Sequence, residues 1–596
     1  MCSISGFTWD DELLIKKMNN ILIHRGPDDS GIYIDKHISL GHNRLSIIDL
    51  SKAGHQPMTN NKGTLWIIYN GEVYNYKELR EKLEKFGYKF RSTSDTEVIL
   101  YAYEHYGSQC LDFFNGMFAI AIWDTVKKEL FLARDRIGIK PLYYMYDGKK
   151  LIFSSELKAI LLHDLKKSID LQCLNSFLKY RFIPSNKTML AGINKLLPGH
   201  YAIYKNGSFC VKKYWDLSWE ISDKSENYQI AMLEKLLHSS IELRLNSDVP
   251  LGAFLSGGID SSLVVAINSK LRKDKVETFT VGFGHESDEF KYAHKVAEYL
   301  STNHHELILD YKNITRKLPD LIWQMDEPHS EITIVPLYFL TEFARKRVTV
   351  VNTGEGADEL FSGYVTYYVG SNMFKPIPDY FRRRLYMWYY SPFKKKDRVK
   401  LLKDSITEDD TLNDYLLNKN ELSYYPKNLL NRMLFFDIKH ELPNWELNRA
   451  DKMTMAHSME ARVPFLDHRI VELSTGMKVK QKLPNLNGKY LLKKLALRYL
   501  PREIVLRKKQ GFFVPMHTWI KDNLEDAAEA ILFNNKKKFF DYNYINRLIH
   551  KHRSTKKPKP FQLYSFQILI LLFFDMWYEM YINNKTSKEL IRILRI

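Results

Sequence analysis

Residues 254–263 read FLSGGIDSSL, and residues 352–359 read NTGEGADE. In the first stretch, Gly257 and Gly258 permit positive φ and close approach of the backbone to a ligand. Ser256, Ser261 and Ser262 add hydroxyl donors. A turn of this kind leading into a helix aims free N–H groups at one point, which suits a phosphate. Asp260 is out of place beside an anion unless a divalent cation lies between them, so the stretch predicts pyrophosphate and magnesium. No lysine follows the glycines, which excludes a GxxxxGK[ST] loop.

A second chemistry sits at the start of the chain, Met1-Cys2-Ser3. Cysteine at position 2 is small enough for Met1 to be removed. That leaves a thiol and a free α-amine on one residue. The amine titrates near pH ~7.7–8.0 and can act as general base for its own thiol.

The flanking patterns say what must position these groups. VPLGAFL (249–255) is an apolar run, and SSLVVAINSKL (261–271) has helical spacing, giving strand, glycine turn, helix. ETFTVGF (277–283), HHELIL (304–309) and RVTVVN (347–352) predict further strands, alternating with helices over 290–300, 313–325 and 334–346. Strands alternating with helices predict a doubly wound, mostly parallel sheet, with ligands at the strand ends where both loops lie. Upstream, LWIIYNGEVYNY (65–76), GMFAIAIWD (116–124) and KELFLARDRIGIKPLYY (128–144) read as antiparallel strands. SDTEVI (94–99) opens a helix capped by Ser94 or Asp95. The expected fold is therefore an α+β N-terminal domain, residues 1–217, of stacked antiparallel sheets flanked by helices. An α/β domain with a helical C-terminal part follows over 229–596, after a polar linker at 218–228.

A chain of 596 residues is too long for one core. With 45% hydrophobic and 27% charged residues it is ordinary globular material. The net charge of +18 is spread over scattered basic runs, none forming a nucleic-acid motif, so a solvated surface and an anionic substrate are expected rather than nucleic acid. Cys2, Cys110, Cys173 and Cys210 make no CxxC pair or zinc pattern, and a reducing, cytoplasmic setting is expected. No signal peptide is expected, and the apolar run Ile568–Phe574 is too short for a membrane span, so it is expected to be a core helix.

SGGIDSS resembles the pyrophosphate loop of enzymes that cleave ATP between the α and β phosphates. Cys2, HRGPD (24–28), HNRLSIID (42–49), the NGE of 70–72 and SDTEVI together resemble class II glutamine amidotransferases. Across nearly its whole length the chain is similar to the glutamine-hydrolysing asparagine synthetase family. The resemblance implies that Cys2 attacks the glutamine amide, with Asn70 and the Gly71 N–H as oxyanion hole. It implies Arg44 on the α-carboxylate and Asp95 on the α-ammonium, with Glu72 and the backbone of Ile47 and Ile48 lining the pocket. ATP would meet Phe254, Leu255, Ser256, Gly257, Gly258, Asp260, Ser261, Val281, Thr353 and Gly354. Asp260 and Asp358 would hold Mg2+, Glu355 would assist the adenylate, and Lys489, in GKYLLKKLA (488–496), would stabilise α-phosphate charge. Arg449, Asp451, Glu460 and Arg462 would form buried ion pairs shaping the acceptor pocket, and RKKQGFFVPMHTW (507–519) also matches.

The implied reaction adenylates the aspartate side chain and amidates it with ammonia passed through an internal channel. Uronic acids of surface polysaccharides are the alternative acceptors, and a basic nucleic-acid-binding protein is a distant alternative. The resemblance leaves room for a homodimer and implies no membrane partner. Ser3 stands where the family has glycine; a need for positive φ there would disturb the nucleophile.

Overall fold

The computed structural model describes residues 2–285, 288–403, 426–508, 519–554 and 563–594. Most of RKKQGFFVPMHTW (509–518) lies outside them.

The N-terminal half holds two six-stranded sheets. One is ordered β10-β8-β9-β1-β3-β2, from β1 (Ser3–Phe7), β2 (Asp29–Asp35), β3 (Ile38–Arg44), β8 (Tyr143–Tyr146), β9 (Leu151–Ser154) and β10 (Ile193–Lys195). The other is ordered β12-β11-β7-β6-β5-β4, from β4 (Met58–Thr59), β5 (Leu65–Val73), β6 (Gly116–Asp124), β7 (Glu129–Arg134), β11 (His200–Lys205) and β12 (Ser208–Lys213). The pairings within both sheets are antiparallel. β6 shows why its sequence is apolar throughout. Ala119, Ala121 and Trp123 pack with Ile4 and Leu40 of the facing sheet. Phe118, Ile120 and Ile122 share a core with Val98 and Ile99 of the helix Asp95–Tyr106. Both faces of the strand are covered, so the polar-out positions of a half-exposed strand are missing.

The second half is built on a five-stranded sheet, β15-β14-β13-β16-β17, with every pairing parallel. Its strands are β13 (Leu251–Phe254), β14 (Glu277–Gly282), β15 (Asn303–Ile308), β16 (Val350–Asn352) and β17 (Glu460–Arg462). The chain runs outward from β13 to β15, then returns to β16 on the other side. The order thus reverses between β13 and β16, the topological switch point of an open parallel sheet. The helix Leu563–Tyr581 is long and apolar enough to span a membrane by length and composition, yet it is mostly buried in this fold. Its Trp577 Nε1 donates to the Asp326 carbonyl at 2.9 Å, and its Gln567 Nε2 to that of Pro392, also at 2.9 Å. It is a core helix, as expected.

Candidate active sites

Cys2 immediately precedes β1, and its backbone N–H donates to Asn70 Oδ1 on β5 at 3.2 Å, crossing from one sheet to the other. Asn70 is fully buried, and its Nδ2 has no partner among the described residues. An amide donor buried without an acceptor is costly; beside a nucleophile it is a ready oxyanion donor. Gly71 has φ +157°, and a Cβ there would fall 2.0 Å from the Met117 carbonyl oxygen and 2.7 Å from Phe118 Cα. Only glycine fits. Burial pushes the Cys2 thiol pKa up, against the opposing pull of the Leu45 N–H and the Arg44 charge. Ser3 lies within β1, its Oγ accepts from Asn43 Nδ2 at 3.0 Å, and it is not among the positive-φ residues. The position asks for extended backbone, which serine adopts freely.

The residues expected to line a glutamine pocket are partly brought together. Asp95 is buried and its Oδ2 accepts from the Tyr69 hydroxyl at 2.9 Å and the Val73 N–H at 3.0 Å. The helix cap is Ser94, whose hydroxyl accepts from the Thr96 N–H, so Asp95 is left for another role. Burial raises the Asp95 pKa despite these donors. Glu72 is buried and pushed well above the usual carboxylate range by burial and by Asp95, with Arg462 opposing. Its Oε1 has no partner among the described residues. Arg44 is turned onto its own loop: its guanidinium donates to the carbonyls of Ser51 (3.0 Å), Ile48 (3.2 Å) and Asp49. The Ile47 carbonyl accepts from the Asp248 N–H at 2.9 Å. The 47–51 loop is thus wrapped around Arg44, a local order its sequence spacing does not reveal.

At the switch point the two glycine loops meet. A Cβ on Gly354 would lie 2.9 Å from the Ser261 N and 3.0 Å from Asp260 Cβ. Gly257 has φ +68°, and a Cβ there would strike the backbone of Tyr292 and Ala293. Ser256 and Ser261 hydroxyls lie 3.1 Å apart, and Ser256 Oγ accepts from the Gly258 N–H at 3.3 Å, which fixes the turn at the N-terminus of the helix Ile259–Leu271. Phe254 closes β13, Val281 lies near the end of β14, and Thr353 follows β16, so the residues expected to meet a nucleotide gather at neighbouring strand ends. Lys489 Nζ lies 2.5 Å from Asp260 Oδ2 and 2.8 Å from Asp358 Oδ1. Burial acts to lower the Lys489 pKa, but the two carboxylates outweigh it and hold the ammonium well above its ordinary value. Three residues far apart in sequence therefore share one point. Glu355 Oε1 meets Arg449 Nη2 at 3.0 Å, and Arg449 also pairs with Glu446.

A glutamine amidotransferase domain model matches residues 1–215, and an asparagine synthase model matches residues 232–579, more than half of the chain. The chain belongs to the asparagine synthase family. It is a glutamine-dependent carbon–nitrogen ligase. Asparagine synthetase [glutamine-hydrolyzing] 1 of Bacillus subtilis (strain 168) is 33% identical over 98% of this chain and 96% of its own length. Asparagine synthetase [glutamine-hydrolyzing] 3 of the same organism is 30% identical over 94% of each chain. Amidase chry2 of Gibberella zeae is 28% identical over 84% of each.

Where this asparagine synthase family chain departs from the sequence reading is at the junction of its halves. Asp451, Glu460 and Arg462 form buried ion pairs and Arg449 half-buried ones, and of the four side chains only that of Arg449 reaches Glu355. Asp451 Oδ2 pairs with Arg25 Nη1 at 2.9 Å, and its Oδ1 with Lys140 Nζ at 3.3 Å, both from the first half. Arg25 also pairs with Glu156 at 2.8 Å and donates from Nε to the Cys2 carbonyl at 3.2 Å. Lys158 and Lys452 join Glu156 and Asp326 in the same buried cluster. Sequence reasoning quoted Arg25 only inside HRGPD and gave no role to Glu156 or Asp326; an arginine, three lysines and three acids, all buried, become a network only once folded.

Proposed function

We propose that this enzyme hydrolyses glutamine at Cys2 and uses the ammonia to convert the side-chain carboxylate of aspartate into an amide, spending ATP to AMP and pyrophosphate. The division falls between a glutaminase over 1–217 and a synthetase over 229–596. The Cys2 thiol gives its proton to the α-amine freed by removal of Met1 and attacks the glutamine amide carbon. Asn70 Nδ2 and the Gly71 N–H receive the charge that develops on the oxygen. The proton passes to the leaving ammonia, and water cleaves the thioester to glutamate. Asp95 supplies the negative side of the pocket, Glu72 lines it, and Arg44 gives its positive edge.

In the second half, the 256–261 turn and the Thr353–Gly354 backbone cradle the phosphates, with Phe254, Leu255 and Val281 packing on the nucleotide. Asp260 and Asp358 already converge on one cation, the Lys489 ammonium, and their hard oxygens suit magnesium equally. Magnesium bound there would neutralise phosphate charge. Lys489, released from the two acids, is placed to balance charge at the α-phosphate. Adenylation is needed because a carboxylate oxygen is a hopeless leaving group and AMP a good one. Glu355, steadied by Arg449, orients the adenylate for attack by ammonia crossing from the first half.

One observation carries this reading: a cysteine bonded to a buried amide whose NH2 has no partner among the described residues, in one half, accompanies the Asp260–Lys489–Asp358 cluster at the switch point of the other. The acceptor is tested by pyrophosphate release over aspartate and a panel of uronic acids. Aspartate-dependent release is expected. Release with a uronic acid and none with aspartate would reassign the acceptor and leave the two-site chemistry standing.

A further inference from the structure

The guanidinium of Arg462 is fully buried and held on several sides. Nε donates to Glu460 Oε1 at 2.6 Å, and Nη1 to the carbonyls of Arg244 at 2.8 Å and Asn246 at 2.6 Å. Nη2 faces Glu72 Oε2 at 3.5 Å, an ion pair still longer than a hydrogen bond. The main chain of the same residue serves the other site. β17 pairs with β16 so that Arg462 lies opposite Asn352, and the Arg462 carbonyl accepts the Thr353 N–H at 2.9 Å. Gly354 and Glu355 follow directly in that loop. One residue thus holds the nucleotide loop by its backbone and reaches the glutamine pocket by its side chain.

We infer that Arg462 is a positioning residue that relays nucleotide binding to the glutamine pocket. Nucleotide seated on Thr353 and Gly354 pulls the β16–β17 end with it, and Arg462 Nη2 closes from 3.5 Å onto the Glu72 carboxylate. That fixes Glu72 for glutamine. Because the effect is a binding free energy, it is reciprocal: glutamine tightens nucleotide binding by the same factor. The inference rests on the roles proposed above for the two pockets.

The test is glutamate release with magnesium and a non-hydrolysable ATP analogue, no acceptor being present. The analogue is expected to lower KM for glutamine threefold or more in the unsubstituted enzyme, with kcat nearly unchanged. In R462K the shift disappears, because a lysine cannot hold the two carbonyls and reach Glu72 at once. Glu72→Gln keeps the shape and removes the charge, and is expected to lose the shift as well. A measurement without substitution stands beside these: the glutamine concentration that half-protects Cys2 from iodoacetamide falls threefold or more with the analogue. An unchanged or raised KM in the unsubstituted enzyme, or a shift that survives in R462K, overturns the relay. Failure of either half-reaction in the unsubstituted enzyme would instead strike the functional reading beneath it.

Discussion

The Cys2 N–H meets Asn70 Oδ1 at 3.2 Å, joining the first residue before β1 to the middle of β5. This contact uses the oxygen of the Asn70 amide and leaves its NH2 free of partners among the described residues. Asn70→Ala is therefore expected to lower kcat for glutamine hydrolysis by roughly 10²–10³, the usual loss for one oxyanion donor. Synthesis from added ammonium is expected to persist. Steady-state glutamate release alongside ammonium-dependent pyrophosphate release separates the two; equal loss of both would remove Asn70 from that role.

Glutamine binding should weaken in acid. Burial is the main cause of the raised Asp95 pKa, which lies at about 6. Above that pH the carboxylate is charged and can pair with an α-ammonium; below it the pair is lost. In the Cys2→Ala protein, where no hydrolysis intrudes, calorimetric Kd for glutamine should be level from pH 8 to 7 and rise by about tenfold per unit below about 6. A flat Kd down to pH 5 would contradict the assignment. Stability runs the opposite way: a carboxyl whose folded pKa is raised disfavours the fold increasingly as pH climbs from its unfolded value to about 6.

Asp260→Asn should abolish pyrophosphate release with either nitrogen source, a loss of at least about 10²-fold if the residue holds the cation that neutralises phosphate charge. Glutamate release at Cys2 should continue. Retained pyrophosphate release would exclude Asp260 from the phosphate site.

Arg25 bears on stability rather than chemistry. Arg25→Ala leaves Glu156 and Asp451 buried without their shared partner and frees the Cys2 carbonyl. Breaking such a pair costs about 3–5 kcal/mol, readable as a shift in the denaturant midpoint. A change under about 1 kcal/mol would show that Lys140, Lys158 and Lys452 already balance the two acids.

The two loops were legible in the sequence because their chemistry is local. SGGIDSS packs a turn, its hydroxyls and its acid into seven positions, and the 3.6-residue pattern that follows announces the helix. The parallel sheet was legible from alternation of strands and helices in four of its strands, β13 to β16, whereas β17, only three residues long, was not read as a strand. The apolar β6 was read correctly as an antiparallel strand, while the reason both its faces are covered appears only when the sheets stack. What stayed hidden depends on distant partners. Arg25 meets Glu156 across 131 residues and Asp451 across 426. Lys489 was expected on phosphate, yet in this structure it sits between the two acids expected to hold metal, one of them 229 residues away. Arg44 was read as a carboxylate ligand by its motif, but its guanidinium also supports the loop carbonyls around it. Ion-pair partners carry no periodicity, so nothing in the order of residues could pair them.

The central claim is that two separate sites share one nitrogen. It is tested most directly by Cys2→Ala assayed for acceptor-dependent AMP and amide formation with glutamine and, in parallel, with ammonium. The account predicts that the glutamine-dependent reaction falls to background while the ammonium-dependent reaction stays within about twofold of the unsubstituted enzyme, since Cys2 supplies ammonia and touches no part of the nucleotide site. Loss of both reactions together, or survival of the glutamine-dependent one, would contradict it.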